Sequence, residues 1–158
     1  MSQLIQDASQ DTSRNISEDD AFSRDAYRVF YPITTRWHDN DIYGHINNVT
    51  YYSYFDSAVN RYLIEEGGLD IHNSEGVAFV VNSSCDYRAP LAYPQALEAG
   101  VRVEKLGNSS VVYRVGIFPT GASRAAASGN FTHVFVARAE NRSVPIPDTI
   151  RKALSHIG

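Results

Sequence analysis

The chain has 158 residues, enough for one domain with its own core and too few for two of comfortable size. A hydrophobic fraction of 43% with 11% aromatics is that of a globular protein and excludes disorder of the whole chain. The formal net charge of -4, without any run of Lys or Arg, argues against nucleic acid as a partner, because nothing here would neutralise a row of phosphates.

Residues 1–25 are predicted to form a disordered N-terminal tail. The stretch is rich in Ser, Asp and Gln, carries Asp7, Asp11, Glu18, Asp19 and Asp20, and has little apolar surface to bury. It lacks the apolar segment of a signal peptide, and no run elsewhere approaches the length of a membrane span. The lone Cys85 cannot make an intramolecular disulfide. The expectation is a cytoplasmic protein with no membrane partner, whose single folded domain covers residues 26–158.

From Tyr27 to Trp37 the sequence is dense in aromatic and β-branched residues and reads as a first strand, with Pro32 placing it at an edge or a bulge. Asp39 to Asn48 is rich in turn and capping residues and reads as a loop. Tyr51, Tyr52, Phe55, Ala58, Val59, Tyr62 and Leu63 then repeat at three-and-four spacing, with Asp56, Asn60, Arg61, Glu65 and Glu66 on the other side. This predicts an amphipathic helix of about five turns, ended by Gly67-Gly68.

Four β-rich stretches follow: Val77 to Arg88, Leu97 to Leu106, Ser110 to Phe118 and Gly129 to Arg138. The links between them are short, so successive strands are predicted to pair as antiparallel neighbours in a meander. The chain closes on an extended Val144 to Pro147 and a short terminal helix, Asp148 to His156. The sum is an α+β domain in which an antiparallel sheet wraps around one long central helix.

The chemistry is concentrated between Arg36 and Tyr51. A helix N-terminus offers unpaired N–H groups and a partial positive charge, which can hold the oxyanion formed in acyl transfer. A carboxylate just upstream can attack the same carbonyl carbon or activate water to do so. Asp39 and Asp41 both qualify by position, and both equally suit a purely turn-forming role, as Asn47 and Asn48 suit helix capping.

The residues Asp39, Asp41, Gly44, His45, Asn47, Asn48, Tyr51, Tyr54, Phe55 and Ala58 match a motif read Asp-x-Asp-x-x-Gly-His-x-Asn-Asn-x-x-Tyr, followed by Tyr-Phe-x-x-Ala. In this the chain resembles the 4-hydroxybenzoyl-CoA thioesterase-like branch of the hot-dog superfamily. Tyr87 to Pro90 resembles the family's strand-end Tyr-x-x-Pro. The resemblance spans roughly Tyr27 to Pro147.

It implies a hot-dog fold and hydrolysis of acyl-CoA thioesters without a metal or organic cofactor, in homodimers or homotetramers with sites between subunits. It makes Asp41 the catalytic carboxylate, as general base or nucleophile, assigns Asp39 to support of the loop, and puts the thioester oxygen on backbone N–H groups near Asn47 and Asn48. His45 enters as a further catalytic candidate, against an alternative in which it orders the loop. Gly44, Asn47, Tyr51 and Arg88 are the candidate substrate-binding residues. Homodimerisation is expected to bury the tyrosine-rich helix face.

Other features have plain readings. The five histidines lack metal-ligand spacing, so no metal is predicted, and no Gly-rich phosphate loop is present. Cys85 reads as a buried small hydrophobe. Arg88, Arg102, Lys105 and Arg114 are strand-borne cations to consider for the CoA phosphates, although solvated surface charge explains each as well. Two alternatives to an acyl-CoA thioesterase are a thioesterase acting on acyl-carrier proteins and a hot-dog protein that binds acyl thioesters without hydrolysing them.

Overall fold

The computed structural model describes residues 17–158, so the first sixteen residues of the predicted tail lie outside it. In chain order the elements are β1 (Val29–Thr34), α1 (Thr50–Glu65), β2 (Gly76–Tyr87), β3 (Ala96–Leu106), β4 (Ser110–Pro119), β5 (Ala127–Ala137), β6 (Arg142–Ser143) and α2 (Asp148–Ser155). The predicted helices and long strands all form, with ends shifted by a few residues. An antiparallel sheet curls around α1, which is the hot-dog fold.

The α1 stripe read from the sequence is the buried one: Phe55, Val59 and Leu63 are fully enclosed, packed with the inward residues of the sheet. β4 shows why the sheet has a core face, since Val111, Tyr113, Val115 and Ile117 alternate inward. The helix ends where expected. Gly68 takes a positive φ of 69°, and the Leu69 N–H donates back to the Leu63 carbonyl at 2.9 Å, a closure that a residue with a Cβ adopts only under strain.

Three expectations need correction. The sheet order is β1-β3-β4-β5-β2, so β2 pairs with β5 and never with β3. The link of residues 88–95 is therefore a crossing along the end of the sheet and not a hairpin. It is held there by Arg88 and Ala89, whose N–H groups both donate to the Ala126 carbonyl, and by the Ile46 N–H, which donates to Leu91 O at 2.8 Å.

The second concerns the tyrosines of α1. Tyr51, Tyr54 and Tyr62 are buried inside the protomer itself, and the Tyr62 hydroxyl donates to the Ala153 carbonyl in α2 at 2.6 Å. No partner is needed to cover them.

The third is the tail. Residues Asp20–Phe22 and Arg24–Ala26 form short 3-10 turns, and Ala21 and Phe22 are 3% exposed against Tyr27, Phe118 and Ala125 on the outer face of the sheet. Folded structure thus begins ahead of residue 26. Two apolar residues among acids suffice because Gly100 and Gly116 leave room for the Tyr27 ring; a Cβ at Gly116 would lie 2.6 Å from it. The Tyr27 hydroxyl is in turn bonded to Ala21 O and Ser128 Oγ.

One core residue carries a pH dependence. His133 is 1% exposed on β5 between the rings of Tyr113 and Phe131, its Nδ1 has no partner among the described residues, and burial lowers its pKa from 6.5 to about 4. The folded protein resists a proton that the unfolded chain accepts. The associated stability is present above pH 6.5 and is lost as the pH falls towards 4, by about 3 kcal/mol for a shift of that size. Urea unfolding at pH 7 and pH 4.5 should show this fall, and His133→Leu should remove most of it. The carboxylates with lowered pKa, Asp39 and Glu98 among them, act in a lower window.

Candidate active site

The loop between β1 and α1 is built around a buried carboxylate. Asp39, 2% exposed, accepts through Oδ2 from the Arg36 N–H at 3.0 Å and the Tyr54 hydroxyl at 2.8 Å, and through Oδ1 from the Arg36 guanidinium. Burial opposes its charge, but the Tyr54 hydroxyl, the Arg36 N–H and the Arg36 guanidinium outweigh that and hold its pKa below the usual value. Its carbonyl also accepts from the Asn47 N–H at 2.9 Å. All three oxygens of Asp39 accept hydrogen bonds, from Arg36 and Asn47 within the loop and from Tyr54 of α1, so this carboxylate is engaged in holding the loop together and onto the helix.

Asp41 is placed differently. Its N–H donates to His45 O at 2.9 Å and its carbonyl accepts from the Gly44 N–H at 3.1 Å, closing a tight turn. Gly44 sits at a φ of 83°, which the turn requires and which favours glycine. The Asp41 Oδ1 accepts from the Tyr43 N–H at 2.9 Å, whereas Oδ2 takes no hydrogen bond among the described residues. One oxygen shapes the turn and the other is free.

The start of α1 is held by Asn47, whose Oδ1 accepts from the Val49 N–H at 3.2 Å and whose carbonyl accepts from the Thr50 N–H at 2.9 Å. The Asn48 N–H meets no acceptor among the described residues. It lies just ahead of α1, at the helix end where the macrodipole favours negative charge.

Asp41, Asn48, Tyr51 and Arg88 line one open cleft of about 420 Å³. Thus four of the seven residues expected at the site meet. Gly44, His45 and Asn47 do not line it: Gly44 and His45 are exposed on the turn, and Asn47 acts on the helix start. Among the described residues no three His, Cys, Asp or Glu side chains converge as metal ligands.

Tyr87 lines the cleft as well and was missing from the expected set. Its hydroxyl donates to the Asn48 carbonyl at 2.9 Å, and its ring meets Tyr51 edge-on at 5.0 Å. The strand-end Tyr-x-x-Pro was the available signal. Burial pushes the Tyr51 hydroxyl to about 12 and raises that of Tyr87 too, so both remain neutral hydrogen-bonding groups. Burial likewise raises the Cys85 thiol to about 11, which disfavours a thiolate nucleophile beside the cleft.

A carboxylate with one oxygen not engaged among the described residues and a helix start, both lining one cleft, suit acyl transfer. Residues 35–154 match the model of the thioesterase-like superfamily. The chain belongs to that superfamily. It is similar to the PA5185 protein of Pseudomonas aeruginosa, at 58% identity over 85% of this chain and 94% of that one, with a TM-score of 0.84. It is also similar to PA2801 of the same species, described as a candidate thioesterase, at 32% identity over 79% and 96% with a TM-score of 0.71. A 1,4-dihydroxy-2-naphthoyl-CoA thioesterase of Synechocystis shares the fold at 18% identity over 80% and 94%, with a TM-score of 0.72. The family and the neighbours named as thioesterases support thioester hydrolysis as the chemistry of this member. No helix among the described residues of this superfamily member is long and apolar enough to cross a membrane.

Proposed function

We propose that the protein is an acyl-CoA thioesterase in which Asp41 is the general base or nucleophile and the N-terminus of α1, at the Asn48 N–H, receives the oxyanion. The observation that carries this reading is that Asp41 and Asn48 line one cleft, and that among the described residues the Asp41 Oδ2 and the Asn48 N–H are not engaged elsewhere. The Synechocystis neighbour's activity on a CoA thioester supports CoA as the leaving group. A cytoplasmic setting suits the free thiol of Cys85. The test is thiol release from a panel of aromatic, short-chain and long-chain acyl-CoAs. Hydrolysis of one class supports the reading, and release only from acyl-carrier-protein thioesters, or from nothing, rejects acyl-CoA as substrate.

The working form is a homodimer, alone or paired into a tetramer, with β2 as the interface. β2 ends the sheet and its outer edge is unpaired among the described residues. It exposes Phe79, Val80 and Val81 by about half, an arrangement that invites a second strand. Val81→Lys is expected to halve the mass measured by light scattering and to reduce turnover with it. An unchanged mass would place the interface elsewhere.

A further inference from the structure

Residues 17–26 precede the segment that matches the superfamily model, yet they reach the wall of the cleft. The Asp19 carboxylate accepts from Arg88 Nη1 at 3.0 Å and from Arg124 Nη2 at 2.7 Å. Arg88 follows β2 and lines the cleft, while Arg124 lies in the link between β4 and β5. The Arg88 guanidinium also lies over the Phe22 ring, 3.8 Å from its centroid.

The main chain that carries the two cations is held by bonds that do not involve the Asp19 side chain. The Arg88 N–H donates to Ala126 O at 2.8 Å, the Ala125 N–H to Phe22 O at 2.8 Å and the Arg24 N–H to Ser123 O at 2.9 Å. These bonds involve no side-chain atom of Asp19, so the main chain that carries Arg88 on the cleft wall and Arg124 next to it keeps its place when the carboxylate is exchanged. The Asp19 side chain is 74% exposed, so its pairing is weak and readily exchanged. A phosphate brings more negative charge and a planar-fork match to two guanidiniums, and so competes well with a single carboxylate.

We propose that Arg88 and Arg124 form a binding site for a phosphate on the carrier half of the thioester substrate, and that Asp19 occupies it until that phosphate arrives. This rests on the thioesterase reading for its ligand and adds to it a second contact, outside the reacting centre, that selects phosphorylated carriers. The chemistry is shared by the nucleotide phosphates of CoA and the phosphate of a phosphopantetheine arm.

The test is calorimetric titration of the full chain with adenosine 3′,5′-bisphosphate and, separately, with 4′-phosphopantetheine. Binding of the bisphosphate, with or without the other probe, identifies the CoA nucleotide as the source, and binding of 4′-phosphopantetheine alone identifies the pantetheine phosphate that CoA and carrier proteins share. Arg124→Gln should weaken that binding by about fivefold or more, Arg124→Lys should weaken it less, and Asp19→Asn should tighten it by about fivefold through loss of the competing charge. Added salt should weaken it further. Thermal melting of each variant separates lost binding from lost folding. Binding of neither probe, or equal affinities in wild type, Arg124→Gln and Asp19→Asn, overturns the proposal. Arg124-dependent binding without hydrolysis of any thioester would retain the phosphate site and reject the thioesterase, whereas hydrolysis with Arg124-independent binding would do the reverse.

Discussion

Asp41→Asn is expected to lower kcat/KM for thioester hydrolysis about 100-fold or more, the scale for loss of a general base or nucleophile. The substitution is informative because it preserves the turn. An Asn carbonyl oxygen accepts the Tyr43 N–H as Oδ1 does now, and the Asp41 backbone bonds to His45 and Gly44 are untouched. Only the charge and the free oxygen disappear. His45→Ala, by contrast, removes an exposed side chain that does not line the cleft, and should cost less than about tenfold, below the range of a positioned acid or base. Thiol release measured on both variants decides between them. A His45→Ala loss equal to that of Asp41→Asn would move the imidazole into the reaction, and retention of activity in Asp41→Asn would remove the carboxylate from it.

Gly129→Ala is expected to destabilise the protein by about 3 kcal/mol, the upper part of the overpacking range. A Cβ at Gly129 would lie 2.0 Å from the Ser84 carbonyl oxygen and 2.7 Å from the Phe55 ring. Neither neighbour can give way easily. Ser84 belongs to the β2–β5 ladder, and Phe55 is fully enclosed at the centre of α1. The added methyl therefore has to separate β2 from β5 or lift the helix off the sheet. For a domain of this size the loss corresponds to a melting temperature lower by about 10 °C. A melting temperature within about 2 °C of wild type would show that the ladder yields at little cost.

The helix, the strands and the loop were legible from the sequence because each is specified by local chemistry. A period near 3.6 places Phe55, Val59 and Leu63 on one face, a period of two places Val111, Tyr113 and Val115 on another, and Gly67-Gly68 can stop a helix without help from the rest of the chain. The motif from Asp39 to Tyr51 was likewise readable, as was, by resemblance, the use of Asp39 in holding the loop.

Tertiary structure decided which strand β2 would join, since Val77 to Arg88 suits either neighbour and the choice lies in long-range pairing energy. That choice turned residues 88–95 from a hairpin into a crossing link, and so put Arg88 and Tyr87 opposite Asp41. It also decided that the tyrosines of α1 are covered by the protomer's own sheet, and that Phe22 folds back beside Arg88. The common physical reason is that periodicity and turn chemistry report the conformation and the buried face of a segment, whereas the partner that covers this face is selected by contacts between residues far apart in the chain.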